Sequence, residues 1–292
     1  MQIETVVKDI YSLVGETGNK GYDFEDLGRR IGDVVQSRTS ADSLAPREQR
    51  VWYSNVGSPC VRQLWYKLHK SDEAEPLLPG TRIKFLYGDL LEEMLLELVR
   101  ASGHSVEFTQ ERLEGDGITG KIDAVIDGVL VDVKTASGFS FKKFKSGLRA
   151  EDDAFGYLGQ LGGYLAAIQS DSRFSEVDKT RAAFLVLNKE SGAIHLDMHE
   201  FSQEDIDKVR AKQVENKAAA EGETTPARAF EDVPEGKSGN RKLQVNCSYC
   251  AFKSSCWPEL RTFLYAGGRP VHLTTVEREP NVPELRKENN ND

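Results

Sequence analysis

Asp123, Asp132 and Lys134 lie in a stretch, ITGKIDAVIDGVLVDVKT, that otherwise reads as two β-strands around Asp127-Gly128. Two β-rich runs joined by Asp-Gly are the strongest short-range signal for a two-residue hairpin loop. With that loop Ile126 pairs with Val129, and counting back along both strands sets Asp123 directly opposite Asp132. Two carboxylates opposed on one face repel each other. A divalent cation removes the penalty, because Mg2+ and Mn2+ take hard oxygen ligands. Lys134 shares the face of Asp132, whereas Val131 and Val133 point the other way. Solvent-face charges on an edge hairpin are the ordinary alternative, but the apolar run Val129 to Val133 predicts a covered strand, where opposed acids are seldom merely structural.

A third acid follows from helical phase. TRIKFLYGDLLEEMLLELVRA, Thr81 to Ala101, carries apolar residues at helical spacing and stops at Ser102-Gly103. Glu93 shares a stripe with Glu97 and Arg100 and is expected in solvent. Glu92 lies one turn before Leu96 and Val99 on the apolar stripe, where a carboxylate is costly unless paired, protonated or bound to metal.

Four cysteines occur: Cys60, then Cys247, Cys250 and Cys256 in a Cys-x2-Cys-x5-Cys pattern. Three thiols leave a tetrahedral site one ligand short, and Cys60 is the one other cysteine. A structural Zn2+ held by four thiolates is the reading that spacing alone favours. The segment KTASGFSFKKFKSGLR, residues 134 to 149, holds Lys134, Lys142, Lys143, Lys145 and Arg149, no acid, and Phe139, Phe141 and Phe144. Such a segment can track phosphates and stack on unpaired bases, or its phenylalanines can pack on the core. A second basic-aromatic stretch, Arg47 to Lys70, includes Arg62, Trp65 and Tyr66 beside Cys60.

These residues need a scaffold of matching size. The chain has 292 residues, 38 Lys plus Arg against 47 Asp plus Glu, and a net charge of −9, which argues against coating nucleic acid by bulk electrostatics. No apolar run approaches a membrane span, the N-terminus does not read as a signal peptide, and a cytoplasmic location is expected. After the helix come Ser105 to Leu113 as a strand, the hairpin, a helix from Phe155 to Gln169, a buried strand AAFLVL (Ala182 to Leu187), a turn and the strand AIHLDMHEF. This order predicts an α/β sandwich with a mixed central sheet. There is no Gly-x4-Gly-Lys-Ser/Thr loop, so a helicase would be a separate partner.

Glu92, Asp123 with its Gly120-Lys121-Ile122 lead-in, and Asp132-Val133-Lys134 resemble the metal site of the PD-(D/E)XK nucleases. Gln160-Leu161-Gly162-Gly163-Tyr164 resembles the Gln-x3-Tyr motif of the RecB-like branch, whose residues, four apart on a helix, would both reach a DNA strand. The resemblance implies a restriction-endonuclease-like core, with Glu92, Asp123, Asp132 and the Val133 carbonyl holding Mg2+ or Mn2+ and Lys134 orienting water or stabilising charge. Its implied product is a DNA exonuclease acting on single strands or ends. RecB-like nucleases often carry His four residues after the first-helix glycine; here Gly88 is followed at that position by Glu92, and a carboxylate suits Mg2+ at least as well.

One upstream cysteine plus a C-terminal Cys-x2-Cys-x5-Cys resembles the iron-sulfur nucleases of that branch, including CRISPR-associated RecB-like exonucleases and the AddB-type subunit. It implies a 4Fe-4S cluster on Cys60, Cys247, Cys250 and Cys256, clasping the two flanks of the core. The expected organisation is an N-terminal helical region (1–79) contributing Cys60, a nuclease core (80–215), a polar linker (216–245), a cysteine region (246–275) and a disordered tail (276–292). A non-catalytic DNA-binding or assembly module on the same fold, and a zinc-stabilised nuclease, are the alternatives. Recombination, DNA degradation and CRISPR spacer processing all fit the chemistry.

Overall fold

In the computed structural model the described residues are 1–16, 18, 21–40, 49–266 and 268–285; the last seven residues of the expected disordered tail lie outside them. The chain runs through helices α1 (Val6–Gly15), α2 (Phe24–Thr39), α3 (Tyr53–Val56), α4 (Val61–His69) and α5 (Pro79–Ala101). Strands β1 (Val106–Glu107), β2 (Arg112–Gly115), β3 (Ile118–Lys121), β4 (Ala124–Ile126) and β5 (Val129–Ala136) follow. Next come α6 (Gly138–Lys145), α7 (Tyr157–Gln169), β6 (Arg181–Asn188), β7 (Ile194–Glu200) and α8 (Gln203–Glu221). The chain ends through β8 (Val233–Pro234), β9 (Arg241–Lys242), α9 (Val245–Ser248), α10 (Lys253–Cys256), β10 (Arg261–Tyr265) and β11 (Arg269–Thr275). These form two units, Met1–Ser58 with Leu78–Ala218, and Pro59–Leu77 with Ala219–Asp292.

The first unit is built on a mixed sheet in the order β1-β4-β5-β6-β7, in which β5 and β6 are parallel and the other pairs antiparallel. The β4–β5 hairpin has the expected register, with Ile126 opposite Val129 and Ala124 opposite Val131. Asp127 (φ 48°) and Gly128 (φ 78°) are both left-handed, as a two-residue turn whose twist matches the strands requires. On one face Val129, Val131, Val133, Ala183, Leu185 and Leu187 pack against Leu95, Leu96 and Val99 of α5 and Val6 and Ile10 of α1. Strand alternation puts Asp132, Lys134 and Phe184 on the opposite face, against which α6 and α7 lie.

Several expectations are corrected. The run ITGKIDAVI is two strands: β3 pairs with β2 in a separate two-stranded sheet, while β4 joins the main sheet. The segment Ser105 to Leu113 is likewise divided between β1 and β2, because Phe108 (φ 51°) and Gln110 (φ 54°) turn the chain out of the main sheet. Glu93 and Glu97 are not in solvent. Helix α2 covers their stripe: Arg30 ion-pairs with Glu97 at 2.7 Å and Glu93 at 3.0 Å, and the Asp23 amide donates to Glu97 at 2.8 Å. Glu97 is 2% exposed.

The N-terminal region also divides. Residues 1–58 belong to the first unit, whereas 59–77, carrying Cys60, belong with the C-terminal segment. The expected linker 216–245 holds the end of α8 together with β8 and β9, with Asn240 and Leu243 buried. The described part of the expected disordered tail is ordered. Leu264 donates to the Pro283 carbonyl and Leu285 to that of Thr262, both at 2.8 Å, and Arg261 ion-pairs with Glu279 and Glu284.

The second unit contains a four-stranded antiparallel sheet, β10-β11-β9-β8, and a small core of Trp65, Tyr66 and Phe252 against which Cys250, Ala251 and Cys256 pack. Among the described residues no helix is long and apolar enough to cross a membrane.

Candidate active site

Strand β5 delivers Asp132 and Lys134 to the α6–α7 face, and Asp123 sits at the point where the chain leaves β3 and enters β4. The Asp123 carboxylate is fixed by the Val133 amide, which donates to its Oδ2 at 2.8 Å. In a strand the carbonyl of a residue leaves on the same edge as its amide, so the Val133 carbonyl faces the Asp123 edge as well. Asp132 is 3% exposed. Its Oδ1 accepts from Gln160 Nε2 at 3.2 Å, while its buried Oδ2 ion-pairs with the Lys134 ammonium.

Glu92 comes from α5, one turn before the buried Leu95 and Leu96. Gln110 donates to it at 2.9 Å from the loop that Phe108 and Gln110 bend, and the Gln110 amide is itself anchored on the Asp123 carbonyl at 3.3 Å. Sequence reasoning missed Gln110. The signal is faint, since nothing in FTQER marks two left-handed residues.

The electrostatics are those of acids that crowd one another where Asp132 is buried and Glu92 and Asp123 are half-buried. Burial, then the charges of Asp123 and Asp132, push the Glu92 carboxyl up to about 9. Burial and Asp132 push Asp123 up to about 7. Burial opposes the charge on Lys134, but the neighbouring Asp132 and Asp123 outweigh it and hold the ammonium above the usual lysine range. Three carboxylates that raise one another beside a single lysine are short of positive charge.

That shortage is the setting a hard divalent cation would satisfy, and the all-oxygen donor set fits Mg2+ or Mn2+. Among the described residues no three His, Cys, Asp or Glu side chains already converge as a ready-made coordination shell, here or at the cysteines. All four cysteines lie in the second unit. They are near enough that, after burial itself, Cys60, Cys250 and Cys256 push the Cys247 thiol up to about 12.

Helix α7 supplies Gln160 and Tyr164, and the structure brings Gln160 to Asp132. Gln160 bridges Asp132 and the Tyr164 hydroxyl, the latter at 3.0 Å. Tyr164 is 3% exposed, and its hydroxyl donates to the Lys121 carbonyl at 2.8 Å. It is therefore a buried prop for Gln160, tying α7 to the end of β3, and not a surface that meets a strand. Gly120 makes room for it: a Cβ there would stand 2.8 Å from both the Tyr164 and Tyr53 rings.

The basic segment is mostly α6. Lys142, Lys145 and Arg149 are exposed, whereas Lys143 donates to the Asp152 carbonyl at 3.0 Å. Phe141 and Phe144 are buried and Phe139 is 76% exposed, so two of the three aromatics belong to the core. In the second unit Arg62 donates to the Pro226 carbonyl at 2.7 Å and lies over the Tyr66 ring. Its guanidinium thus has a structural task there.

Solved structures similar to this chain include that of SSO0001, 14% identical with a TM-score of 0.42, covering 79% of this chain and 93% of that one. The alkaline exonuclease LHK-Exo from Laribacter hongkongensis is 13% identical with a TM-score of 0.44, over 62% of this chain and 93% of that one. A structure of LHK-Exo in complex with dAMP gives 13% and 0.43, over 59% and 88%. No curated protein matches the chain. The family model of the PD-(D/E)XK nuclease superfamily matches residues 13–257, a span holding Glu92, Asp123, Asp132, Lys134, Gln160 and all four cysteines, and the chain belongs to that superfamily.

Proposed function

We propose that the chain is a divalent-metal-dependent DNA nuclease of the RecB-like branch, an exonuclease working on single strands or ends, with a structural 4Fe-4S cluster on Cys60, Cys247, Cys250 and Cys256. The observation that carries the nuclease reading is the Asp132–Lys134 ion pair on β5, with the Asp123 carboxylate held by the amide of the intervening Val133 and the Glu92 carboxyl raised by both aspartates. Glu92, Asp123, Asp132 and the Val133 carbonyl would hold Mg2+ or Mn2+. Such an ion, when bound, polarises the scissile phosphate and lowers the pKa of an attacking water. Lys134, kept as an ammonium, donates to that water or to the developing negative charge. Gln160 fixes the Asp132 carboxylate through Oδ1, and Gln110 steadies Glu92. The exposed Lys142, Lys145 and Arg149 supply phosphate contacts. The end preference rests on the family resemblance, as does the cluster, for which four thiolates are the usual ligand set.

The test is anaerobically purified protein on end-labelled single- and double-stranded DNA with Mg2+, Mn2+ or EDTA. Metal-dependent cleavage lost in Asp132→Ala and in Lys134→Ala, with iron and sulfide content unchanged, is expected. No cleavage by intact, cluster-loaded protein on any substrate would move the reading to a non-catalytic DNA-binding module. A colourless, zinc-containing preparation would replace the cluster by zinc.

A further inference from the structure

Lys134 has four rotatable side-chain bonds, yet the chemistry proposed above requires its ammonium at one place. The Asp132 ion pair holds it now. That pair weakens once the carboxylate is shared with a divalent cation, which neutralises the acid and repels the lysine. A second restraint that does not compete for metal is therefore needed.

We propose, resting on the nuclease reading, that Tyr157 is a positioning residue whose ring face retains the Lys134 ammonium when metal occupies Asp132. The Lys134 Nζ lies 4.9 Å from the centroid of the Tyr157 ring, within the range of a cation–π contact. The ring itself is tightly placed. Asp153 accepts from the Tyr157 amide at 2.9 Å and the Leu158 amide at 2.8 Å, closing the first turn of α7. Around the ring stand Phe155 at 5.6 Å, Phe144 at 6.2 Å and Phe184 at 6.3 Å between centroids. Phe184 is the β6 residue in register with Asp132, and Val186 is in register with Lys134. The ring is thus fixed both to α7 and to the strand neighbouring the acid and the lysine. An aromatic face attracts the ammonium without offering a hard oxygen to Mg2+, so its hold persists when the carboxylate's is lost. The phenol oxygen has no part in this, and phenylalanine should serve equally.

Two measurements on the full chain test it. The first needs no turnover: lysine Hε resonances in wild-type protein, with and without saturating Mg2+, assigned through Lys134→Gln. The expected result is a ring-current-shifted Lys134 signal that persists with metal and in Tyr157→Phe. Loss of that shift on Mg2+ addition overturns the proposal. The second compares kinetics of wild type, Tyr157→Phe, Tyr157→Leu and the Lys134→Gln/Tyr157→Leu double variant. Tyr157→Leu should lower kcat by about 10- to 100-fold with KM for DNA within about twofold, while phenylalanine restores the rate. In the Lys134→Gln background the same substitution should change the residual rate less than about twofold. An equal loss with or without Lys134, equal losses in the leucine and phenylalanine variants, or a change in KM alone would make Tyr157 a packing or substrate-contact residue. Failure of wild-type protein to cleave DNA would instead count against the nuclease reading, and the resonance measurement still decides the role of Tyr157.

Discussion

At the residue scale the acids of the candidate site oppose folding. Glu92, raised to about 9, and Asp123, raised to about 7, hold protons in the folded state that the unfolded chain has already released. Where the folded state binds more protons, stability falls as pH rises. The window runs from the ordinary carboxylate values of 4.5 and 3.8 up to about 9 and about 7. The melting temperature of metal-free protein should therefore decline from acidic to alkaline pH within that window. Glu92→Gln should recover about 1 kcal/mol or more at pH 8, roughly 2–4 °C, and nothing at pH 4. A melting curve of the variant that gained equally at both pH values would show that the charge of Glu92 is not the cause. The same desolvation is what metal binding relieves, so Mg2+ should raise the melting temperature of wild type far more than that of the variant.

At the scale of elements, placement of the site depends on a few backbone devices. Gly156 caps α7 at φ 76°, and a Cβ there would overlap the Gly57 carbonyl oxygen. Only glycine combines that conformation with that closeness. Gly156→Ala should cost about 2–3 kcal/mol by denaturant midpoint, and because Tyr157 and Gln160 open the same helix, cleavage should fall with it. An alanine variant with unchanged midpoint would mean that the turn relaxes freely. Two further devices act likewise. The pair Phe108 and Gln110 bends a loop onto Glu92, and α2 neutralises Glu93 and Glu97 through Arg30, fixing the α5 helix that presents Glu92.

At the scale of the molecule, the chain is not divided in sequence order. The segment carrying Cys60 leaves its neighbours and folds with residues beyond 218, so all four cysteines lie in a unit that does not contain Glu92, Asp123, Asp132 or Lys134. The expected consequence is separable stability. Cys250→Ala should speed amide exchange about tenfold or more in residues 61–69 and 245–265, with little change in the β5 and β6 amides of residues 129–136 and 181–188. Equal acceleration in both sets would join the cysteines and the carboxylates in one cooperative unit.

Local chemistry was legible from the residues alone. The Asp-Gly turn set the hairpin register, because a two-residue loop admits one pairing, and helical phase singled out Glu92, because one turn of helix carries it onto a buried stripe. What adjoins a face was not legible, because that is decided by segments far away in the chain. Phase alone put Glu93 and Glu97 in solvent, and α2 covers them. Motif spacing put Tyr164 at a strand-binding surface, and β3 buries it. Gln110 and Tyr157 became visible only when folding brought them to Glu92 and Lys134, since neither has a spacing that marks it.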